Sequence, residues 1–208
     1  MAARKDADTR KREIVDAAIR LSDKVGPDRL TTEAVARDIG ITQPGVFRHF
    51  PRKQNLWEAV ANRISDRMQD RWSRVLKGRD RPDDRLRALV GTQLKFIHSN
   101  PAIPAILFSR ELHTKNEILR KAFYGLMGRL LGVIAGIIRE GSKKGVFRPD
   151  LDAQDAAFLV LGLVQGLAVR WSLSGKRFDI VAEGQRLLDL QMAGFVQGPM
   201  MCGDGGVQ

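Results

Sequence analysis

The sequence is almost free of cysteine. Cys202 is the only one among 208 residues, so no internal disulfide can form, and a reducing cytoplasm is the expected location. The N-terminal segment MAARKDADTRKRE is charged and lacks the apolar stretch of a secretory signal. No apolar run approaches the roughly 20 residues that a membrane helix needs, and we therefore expect no membrane partner.

The sequence also lacks the motifs of catalysis and of metal binding. Segment 40–47 has the two glycines of a phosphate-binding loop but neither the Lys nor the Ser/Thr that must follow them. No Gly-x-Ser-x-Gly elbow is present. The histidines that show no metal-ligand spacing are His49, His98 and His113. We predict that the protein is not an enzyme and uses no metal or cofactor.

The chain has fewer acidic than basic residues. The chain has 35 Lys and Arg against 24 Asp and Glu, which gives a net charge of +11 at pH 7. A protein with this balance favours polyanions, and nucleic acid comes first among them. Residues 1–60 carry +3 and residues 61–100 carry +5. The excess is therefore spread along the chain, and a merely solvated basic surface stays an alternative.

The most informative pattern lies in residues 30–60. Apolar residues at helical spacing predict a first short helix: Val35, Ala36 and Ile39. Thr31 or Thr32 can cap its N-terminus. Gly40 can end it, because glycine tolerates the left-handed conformation of a C-cap.

A second helix is predicted directly after a short turn. Thr42 can cap it, and Val46, Phe47 and Phe50 repeat at helical spacing. The residues left free to face outward are Gln43, Pro44, Gly45 and Arg48. A helix, a glycine-containing turn and a second helix with a polar outer face form the helix-turn-helix pattern. Its second helix enters the major groove, so the pattern predicts DNA binding.

Helices are predicted for the rest of the chain as well. Their ranges are 10–24, before the motif, and 53–76, 84–99, 101–109, 116–143, 153–172 and 179–195, after it. No strand alternation and no internal repeat is visible. We therefore predict an all-α fold, followed by a disordered Gly-rich tail.

The run GITQPGVFRHF at residues 40–50, followed by Lys53, resembles the TetR family of tetracycline-repressor-like transcriptional regulators. The resemblance implies a homodimer that binds a double-stranded DNA operator, usually as a repressor that a small molecule releases. It also implies three regions. They are a three-helix helix-turn-helix DNA-binding domain at 1–52 with a basic arm at 1–9, a helical effector-binding and dimerisation domain at 53–196, and the disordered tail at 197–208.

Some of the DNA contacts are implied by the resemblance alone. Thr32, His49 and Lys53 match family positions that contact the DNA backbone, although His49 is alternatively a structural residue that closes the turn. Phe47 stands where the family usually has tyrosine. Its ring packs either on a sugar or thymine methyl, or on the protein core, and the two alternatives stay open.

Other DNA contacts follow from side-chain chemistry. Gln43 can pair with adenine, and Pro44 can contact a thymine methyl group. Gly45 allows a close backbone approach, and Arg48 can contact a base or a phosphate. A basic arm can enter the minor groove or remain a solvated tail. Its cations are Arg4, Lys5, Arg10, Lys11 and Arg12.

The second domain has apolar stripes that are either plain core or the wall of an effector cavity. The resemblance implies a cavity between these helices, which would suit a hydrophobic or amphipathic effector with a few polar contacts. The predicted ligand-binding residues are Gln93, Ile97, His98, Phe123, Met127, Gln165 and Trp171. Among them Gln93, His98 and Gln165 are the polar candidates.

Two glycine series predict close helix packing, within the subunit or across a dimer. They are Gly128, Gly132 and Gly136 on one helix, and Gly162 and Gly166 on another. The resemblance implies that the last two helices form the dimer interface. The competing hypothesis is a DNA-bound protein whose C-terminal domain recruits a protein partner and binds no small molecule.

Overall fold

The computed structural model describes residues 6–196, without the side chains at positions 111 and 115. Within that range the chain forms ten α-helices and no β-strand, which confirms the all-α prediction. They are α1 (Ala7–Val25), α2 (Thr32–Asp38), α3 (Gln43–His49), α4 (Lys53–Leu76), α5 (Pro82–Ser99), α6 (Ala102–Phe108), α7 (Arg110–Lys115), α8 (Glu117–Lys143), α9 (Ala153–Leu173) and α10 (Ile180–Ala193). The predicted tail at 197–208 and the cations Arg4 and Lys5 lie outside the described residues.

The helix-turn-helix is built by the capping residues that the sequence predicts. The Thr31 hydroxyl accepts the backbone N–H of Ala34 at 3.1 Å and starts α2. The Thr42 hydroxyl accepts the N–H of Gly45 at 3.3 Å and starts α3. Gly40 has φ +68°, a left-handed conformation in which a side chain would be strained. The turn between the two helices is therefore fixed by local chemistry.

The end of the predicted basic arm at 1–9 is helical. Helix α1 begins at Ala7, three residues before the predicted start, and it contains Arg10, Lys11 and Arg12, as the predicted helix at 10–24 also did. Arg10 forms an ion pair with Glu13 at 2.9 Å, one helical turn away. Local helical interactions of this kind stabilise a helix end and hold these side chains to it.

The three N-terminal helices share a small core with the start of α4. Ile14, Val35 and Val46 come from α1, α2 and α3, and none of them is exposed. Leu56 and Trp57 close this core from α4. The recognition helix α3 is too short to be stable alone, since isolated helices need about 12–15 residues. Burial of Val46 and Phe50 is thus what holds α3 in place.

Helix α4 joins the N-terminal helices to the C-terminal bundle. The half-buried carboxylate of Asp16 in α1 accepts from Arg63 at 3.3 Å and from Arg67 at 2.8 Å, both in α4. Two further contacts tie the halves together. The Ser109 hydroxyl donates to Asp28 at 2.6 Å, and Lys176 pairs with Asp23 at 2.9 Å. The buried apolar residues form one contiguous cluster across both predicted domains.

The C-terminal bundle packs α4, α5, α8, α9 and α10 against one another, with α6 and α7 as short pieces at its edge. Helix α7 has six residues and was not predicted; its start is capped by Ser109, whose hydroxyl accepts the N–H of Leu112 at 3.1 Å. Close packing is found at Gly184, where an added Cβ would overlap the side chain of buried Leu94. This glycine lets α10 approach α5.

The two predicted glycine series do not pack within the subunit. A Cβ added at any of these glycines would have no neighbour within 4 Å among the described residues. The glycines are Gly128, Gly132 and Gly136 on α8, and Gly162 and Gly166 on α9. The alternative of tight packing inside the subunit is therefore wrong, and a contact across a dimer stays a prediction.

Helices α8 and α9 are long and apolar enough to cross a membrane by length and composition. This corrects the expectation that no apolar run approaches that length. The same test is passed by core helices of globular folds, which can be apolar all round. The two helices pack on each other, and 39% and 44% of their most apolar windows are buried in the fold. This packing explains the apolar side chains that are buried. Other large apolar side chains of these helices are exposed.

Candidate nucleic-acid interface and ligand cavity

The N-terminal half of α3 presents a mostly exposed surface. Gln43 and Pro44, its first two residues, are exposed, and Gly45 is half-buried. Proline suits the first turn of a helix, because the N–H that it lacks would have no partner there. In a helix-turn-helix these positions lie nearest to the base edges. The geometry therefore allows the predicted base contacts.

Gln43 is oriented by the preceding helix. Its side-chain N–H donates to the hydroxyl of Thr32, the first residue of α2, at 2.9 Å. Thr32 itself is only 7% exposed. An amide nitrogen has two hydrogens, so Gln43 keeps one donor and its carbonyl oxygen for an adenine edge. The bond reduces the freedom of the side chain before any DNA is bound.

The second half of α3 and the start of α4 carry an aromatic ring and several cations. Phe47 is 40% exposed, so part of its ring is accessible for the predicted contact with a sugar or thymine methyl, while the rest is covered by the protein. Arg48 and Lys53 are exposed and form no ion pair among the described residues. His49, in the last turn of α3, is half-buried. An unpaired cation on a surface is free to neutralise a phosphate.

An apolar cavity lies in the C-terminal bundle. Its volume is about 50 Å³, which is room for a few water molecules and far below the roughly 300–1,000 Å³ of typical ligand pockets. Four of its lining residues come from α6, and one of these, Phe108, is 43% exposed at the cavity rim. A larger ligand would have to displace part of the wall.

Five of the seven predicted ligand-binding residues line this cavity: Gln93, Ile97, Phe123, Met127 and Gln165. His98 and Trp171 do not, which corrects their assignment. The two rings lie beside each other, with centroids 5.7 Å apart, and the indole N–H of Trp171 donates to the backbone carbonyl of Phe178 at 3.1 Å. They fasten the end of α5 to the α9–α10 corner.

Most residues of the cavity wall were not among the predicted ligand contacts. The residues not predicted as ligand contacts are Ile64, Met68, Trp72, Ile103, Pro104, Leu107, Phe108, Leu126, Leu130, Leu161, Val164 and Ala168. Apolar spacing places many of them on buried helix faces, but spacing cannot tell a core face from a cavity wall. Trp72, four residues after Met68 on α4, continues a stripe that was visible in the sequence.

Both glutamines on the wall already have a protein contact. The indole N–H of Trp72 donates to the side-chain oxygen of Gln93 at 3.0 Å. The side-chain nitrogen of Gln165 donates to the sulfur of Met127 at 2.9 Å. No charged side chain lines the cavity. The site is therefore neutral and offers polar groups only through these two amides.

An exposed apolar stripe runs along the outer face of α9. Its members are Phe158, Leu159, Val169 and Leu173, with Gly162 and Gly166 between them. Large apolar side chains gathered on one exposed face mark a contact surface in many proteins. Gln165 lines both the cavity and the groove beside this stripe. One residue thus reaches from the cavity to the outer face.

The chain matches two family models along most of its length. Residues 14–60 match the model of bacterial regulatory proteins of the tetR family, and residues 61–194 match the model of the YsiA-like protein, C-terminal region. The first match covers the helix-turn-helix, and the second covers the cavity and the exposed stripe.

Individual relatives have low sequence identity to this chain. The nucleoid occlusion factor SlmA of Vibrio campbellii is 27% identical over 175 residues, which are 83% of this chain and 89% of that protein. A transcriptional regulator of Saccharomonospora viridis, solved in complex with choline, is 26% identical with a TM-score of 0.82, over 92% of this chain and 100% of the other. FadR of Bacillus subtilis, solved with stearoyl-CoA, shares the fold at 19% identity with a TM-score of 0.78, over 88% of this chain and 98% of FadR.

Proposed function

The chain belongs to the TetR family of DNA-binding transcriptional regulators, and from that premise we propose that it is a homodimeric repressor released from a pseudo-palindromic operator by a small hydrophobic or amphipathic effector. Members of this family are not enzymes. The observation that carries the proposal is that one helix, α4, starts at the DNA-binding surface and ends in the cavity wall.

Helix α4 provides a direct mechanical link. It has 24 residues, which at 1.5 Å per residue is about 36 Å. Lys53 stands exposed at its N-terminus, and Met68 and Trp72 line the cavity from its second half. An effector that pushes on this wall moves a rigid helix, and the three N-terminal helices move with it through Asp16.

Helix α6 provides a second link. Ile103, Pro104 and Leu107 line the cavity, and the same short helix packs against α1. The hydroxyl of Ser109 then connects the end of α6 to Asp28, just after α1. Because the cavity is small, a bound effector must displace its wall, and α6 has α1 on its other side.

The apolar stripe of α9 supports the dimer. Exposed large side chains such as Phe158 and Leu173 lose contact with water when a second copy covers them. A two-fold dimer presents two copies of α3 to successive major grooves, about 34–36 Å apart, and its operator is a pseudo-palindrome. Effector binding changes that spacing, and it weakens DNA binding only as far as it favours the released conformation.

The test is release of DNA. A nuclease footprint on the DNA flanking the gene of this protein, at near-physiological salt and with competitor DNA, should show one protected pseudo-palindrome. Hydrophobic compounds are then screened for loss of that footprint, with Lys53→Ala as the control that binds all sequences less well. Operator affinity that no compound changes, in a protein that still protects the site, would overturn the effector model.

A second candidate function has one observation in its favour. The curated relatives include nucleoid occlusion factors, a name that mentions no effector, and the identity of 27% extends over most of the chain. In this alternative the C-terminal domain recruits a protein partner while the N-terminal helices hold DNA. Saturable thermal stabilisation by a small molecule argues for the effector model, since a ligand that binds only the folded state raises its stability.

A further inference from the structure

Gln93 is the most deeply buried polar side chain of the cavity wall, at 6% exposure. It lies on α5 and accepts the indole N–H of Trp72, on α4, at 3.0 Å. The indole nitrogen is only a donor, so it must face the amide oxygen of Gln93 and not the amide nitrogen. This contact fixes which end of the amide is which, an assignment that glutamines often leave ambiguous.

The amide nitrogen of Gln93 is consequently the free end. The bond to Trp72 uses only the amide oxygen, and the amide nitrogen has no hydrogen-bond partner among the described residues. This nitrogen is not fully buried, since it is not one of the fully buried polar atoms that lack a partner. The nitrogen therefore borders open space, and the space that Gln93 lines is the cavity. The mostly apolar wall therefore carries an N–H donor that has no protein partner among the described residues.

The remaining lining sets the charge of what can bind. The other wall residues are apolar except for Gln165, whose nitrogen already contacts the sulfur of Met127. A carboxylate or an ammonium group brought into such a site would lose its hydration without an opposite charge to replace it. The cavity wall has no acidic side chain that could pair with a cation such as choline.

We propose that the effector is an uncharged, largely apolar molecule with a carbonyl oxygen, of the ester, ketone or lactone class, which accepts the free N–H of Gln93. This inference rests on the proposed function and names its ligand class. The hydrogen bond satisfies the N–H donor that has no protein partner, and the apolar part of the molecule fills the volume gained as the wall moves. Gln93 is then the specificity-determining residue of the site.

The same amide joins the ligand to α4. Its oxygen holds Trp72, and its nitrogen holds the carbonyl of the effector, so a shift of Gln93 on binding changes the environment of the Trp72 indole. The proposed ligand contact lies on α5, and the bond to Trp72 connects it to α4, the helix that begins at Lys53. A ligand without a carbonyl fills the same cavity but does not engage this amide.

The experiment compares three molecules of matched size: methyl octanoate, undecane and octanoate. Their affinities are measured by displacement of an environment-sensitive apolar dye from the full-length protein, in the wild type, in Gln93→Met and in Gln185→Met. Gln185 is a matched control, because it lies on α10 outside the cavity wall and donates to the backbone carbonyl of Arg87. We expect the ratio of ester to alkane affinity to fall about two- to twelvefold in Gln93→Met, which corresponds to the roughly 0.5–1.5 kcal/mol of one hydrogen bond. Gln185→Met should keep the wild-type ratio, and octanoate should bind more weakly than its ester.

A second readout needs no variant. The carbonyl infrared band of the bound ester should move to lower frequency than in an alkane solvent, as it does when a carbonyl accepts a hydrogen bond. An unshifted band, an unchanged ratio in Gln93→Met, or tighter binding of octanoate than of its ester overturns the assignment of Gln93. Failure of all three molecules to displace the dye also overturns the assigned ligand class, whereas the effector model itself is tested separately by loss of the footprint.

Discussion

The side-chain nitrogen of Gln43 donates to the hydroxyl of Thr32 at 2.9 Å, across the turn of the helix-turn-helix. Gln43 opens α3, and Thr32 opens α2. A base-reading side chain that is already held in place loses less conformational entropy on binding than a free one. The two residues predicted for base and backbone contact are therefore coupled in the protein before DNA arrives.

The first prediction concerns this pair. Gln43→Ala should reduce discrimination at one base pair of each half-site by about 1–3 kcal/mol, the usual value of a bidentate amide–adenine contact. Thr32→Val keeps Gln43 but removes the hydroxyl that orients it, and should reduce the same discrimination by less. Operator variants changed one base pair at a time, measured by fluorescence anisotropy, give both numbers.

Lys53→Ala is the contrasting variant for that experiment. A phosphate contact carries no base information, so its loss should weaken binding to all sequences about equally and reduce the salt slope by about one unit. Equal losses on all sequences from Gln43→Ala as well would show that Gln43 reads no base.

The helix-turn-helix could be predicted closely because its signals are local. Thr42 and Gly40 act through neighbours within a few residues, and α4 has the predicted bounds of 53–76. The cavity could not be predicted in the same way. The bond between Trp72 and Gln93 joins residues 21 positions apart, and apolar spacing says only that both face inward. Trp171 was predicted to line the cavity from the same spacing and His98 as a polar contact, although the two rings lie against each other and do not line it.

The second prediction tests the contact between α1 and α4. Asp16→Asn removes the charge that Arg63 and Arg67 share, and we expect a loss of about 1 kcal/mol in unfolding free energy, at the upper end for partly exposed pairs. Asp70→Asn is the matched control, since Asp70 pairs with Arg74 on the exposed side of the same helix. Chemical denaturation and operator affinity are measured for both variants. An effect of Asp70→Asn as large as that of Asp16→Asn would contradict the proposed role of the α1–α4 contact.

The third prediction tests the dimer. Phe158 is 55% exposed in the single chain, so Phe158→Ser should leave its fold intact while it shifts the protein toward monomers. Ile118→Ser, at an exposed position at the start of α8, serves as the control and should not change the mass. Light scattering over a dilution series gives the mass. A wild-type protein that is monomeric throughout would remove the basis of this prediction.

The fourth prediction concerns packing between α5 and α10. A methyl group at Gly184 overlaps the side chain of Leu94, which is fully buried, and Leu167 is only 3.2 Å away. We expect Gly184→Ala to cost about 1–3 kcal/mol, as overpacked cores usually do. Gly91→Ala is the matched variant on α5, because its methyl group meets only the flexible tip of Gln185. Thermal unfolding should give a clearly lower melting temperature for Gly184→Ala than for Gly91→Ala. Equal melting temperatures of the two variants would contradict close packing at Gly184.

The fifth prediction concerns pH. The backbone N–H groups of Ala182 and Val181 donate to the carboxylate of Asp179 at the start of α10 and lower its pKa below 3.8. A lowered pKa in the folded state means that the carboxylate stabilises the fold above its unfolded-state pKa, and that this contribution is lost as pH falls through the folded value. Asp179→Asn keeps a capping side chain without the charge.

The melting temperature of the wild type should therefore exceed that of Asp179→Asn at neutral pH, and the difference should shrink below about pH 3.8. Differential scanning calorimetry at several pH values measures both. A difference between the two proteins that stays constant with pH would assign the effect to something other than this carboxylate.

The shared helix α4 limits how this regulator can be recombined with others. A chimera that joins its DNA-reading helices to the sensing bundle of a relative is conventionally cut where one domain is thought to end, here after residue 52. Such a cut would leave Asp16 facing foreign residues in place of Arg63 and Arg67. A junction after Arg67 transfers the carboxylate with both of its partners. The transferable unit of DNA recognition in this chain is therefore longer than its helix-turn-helix.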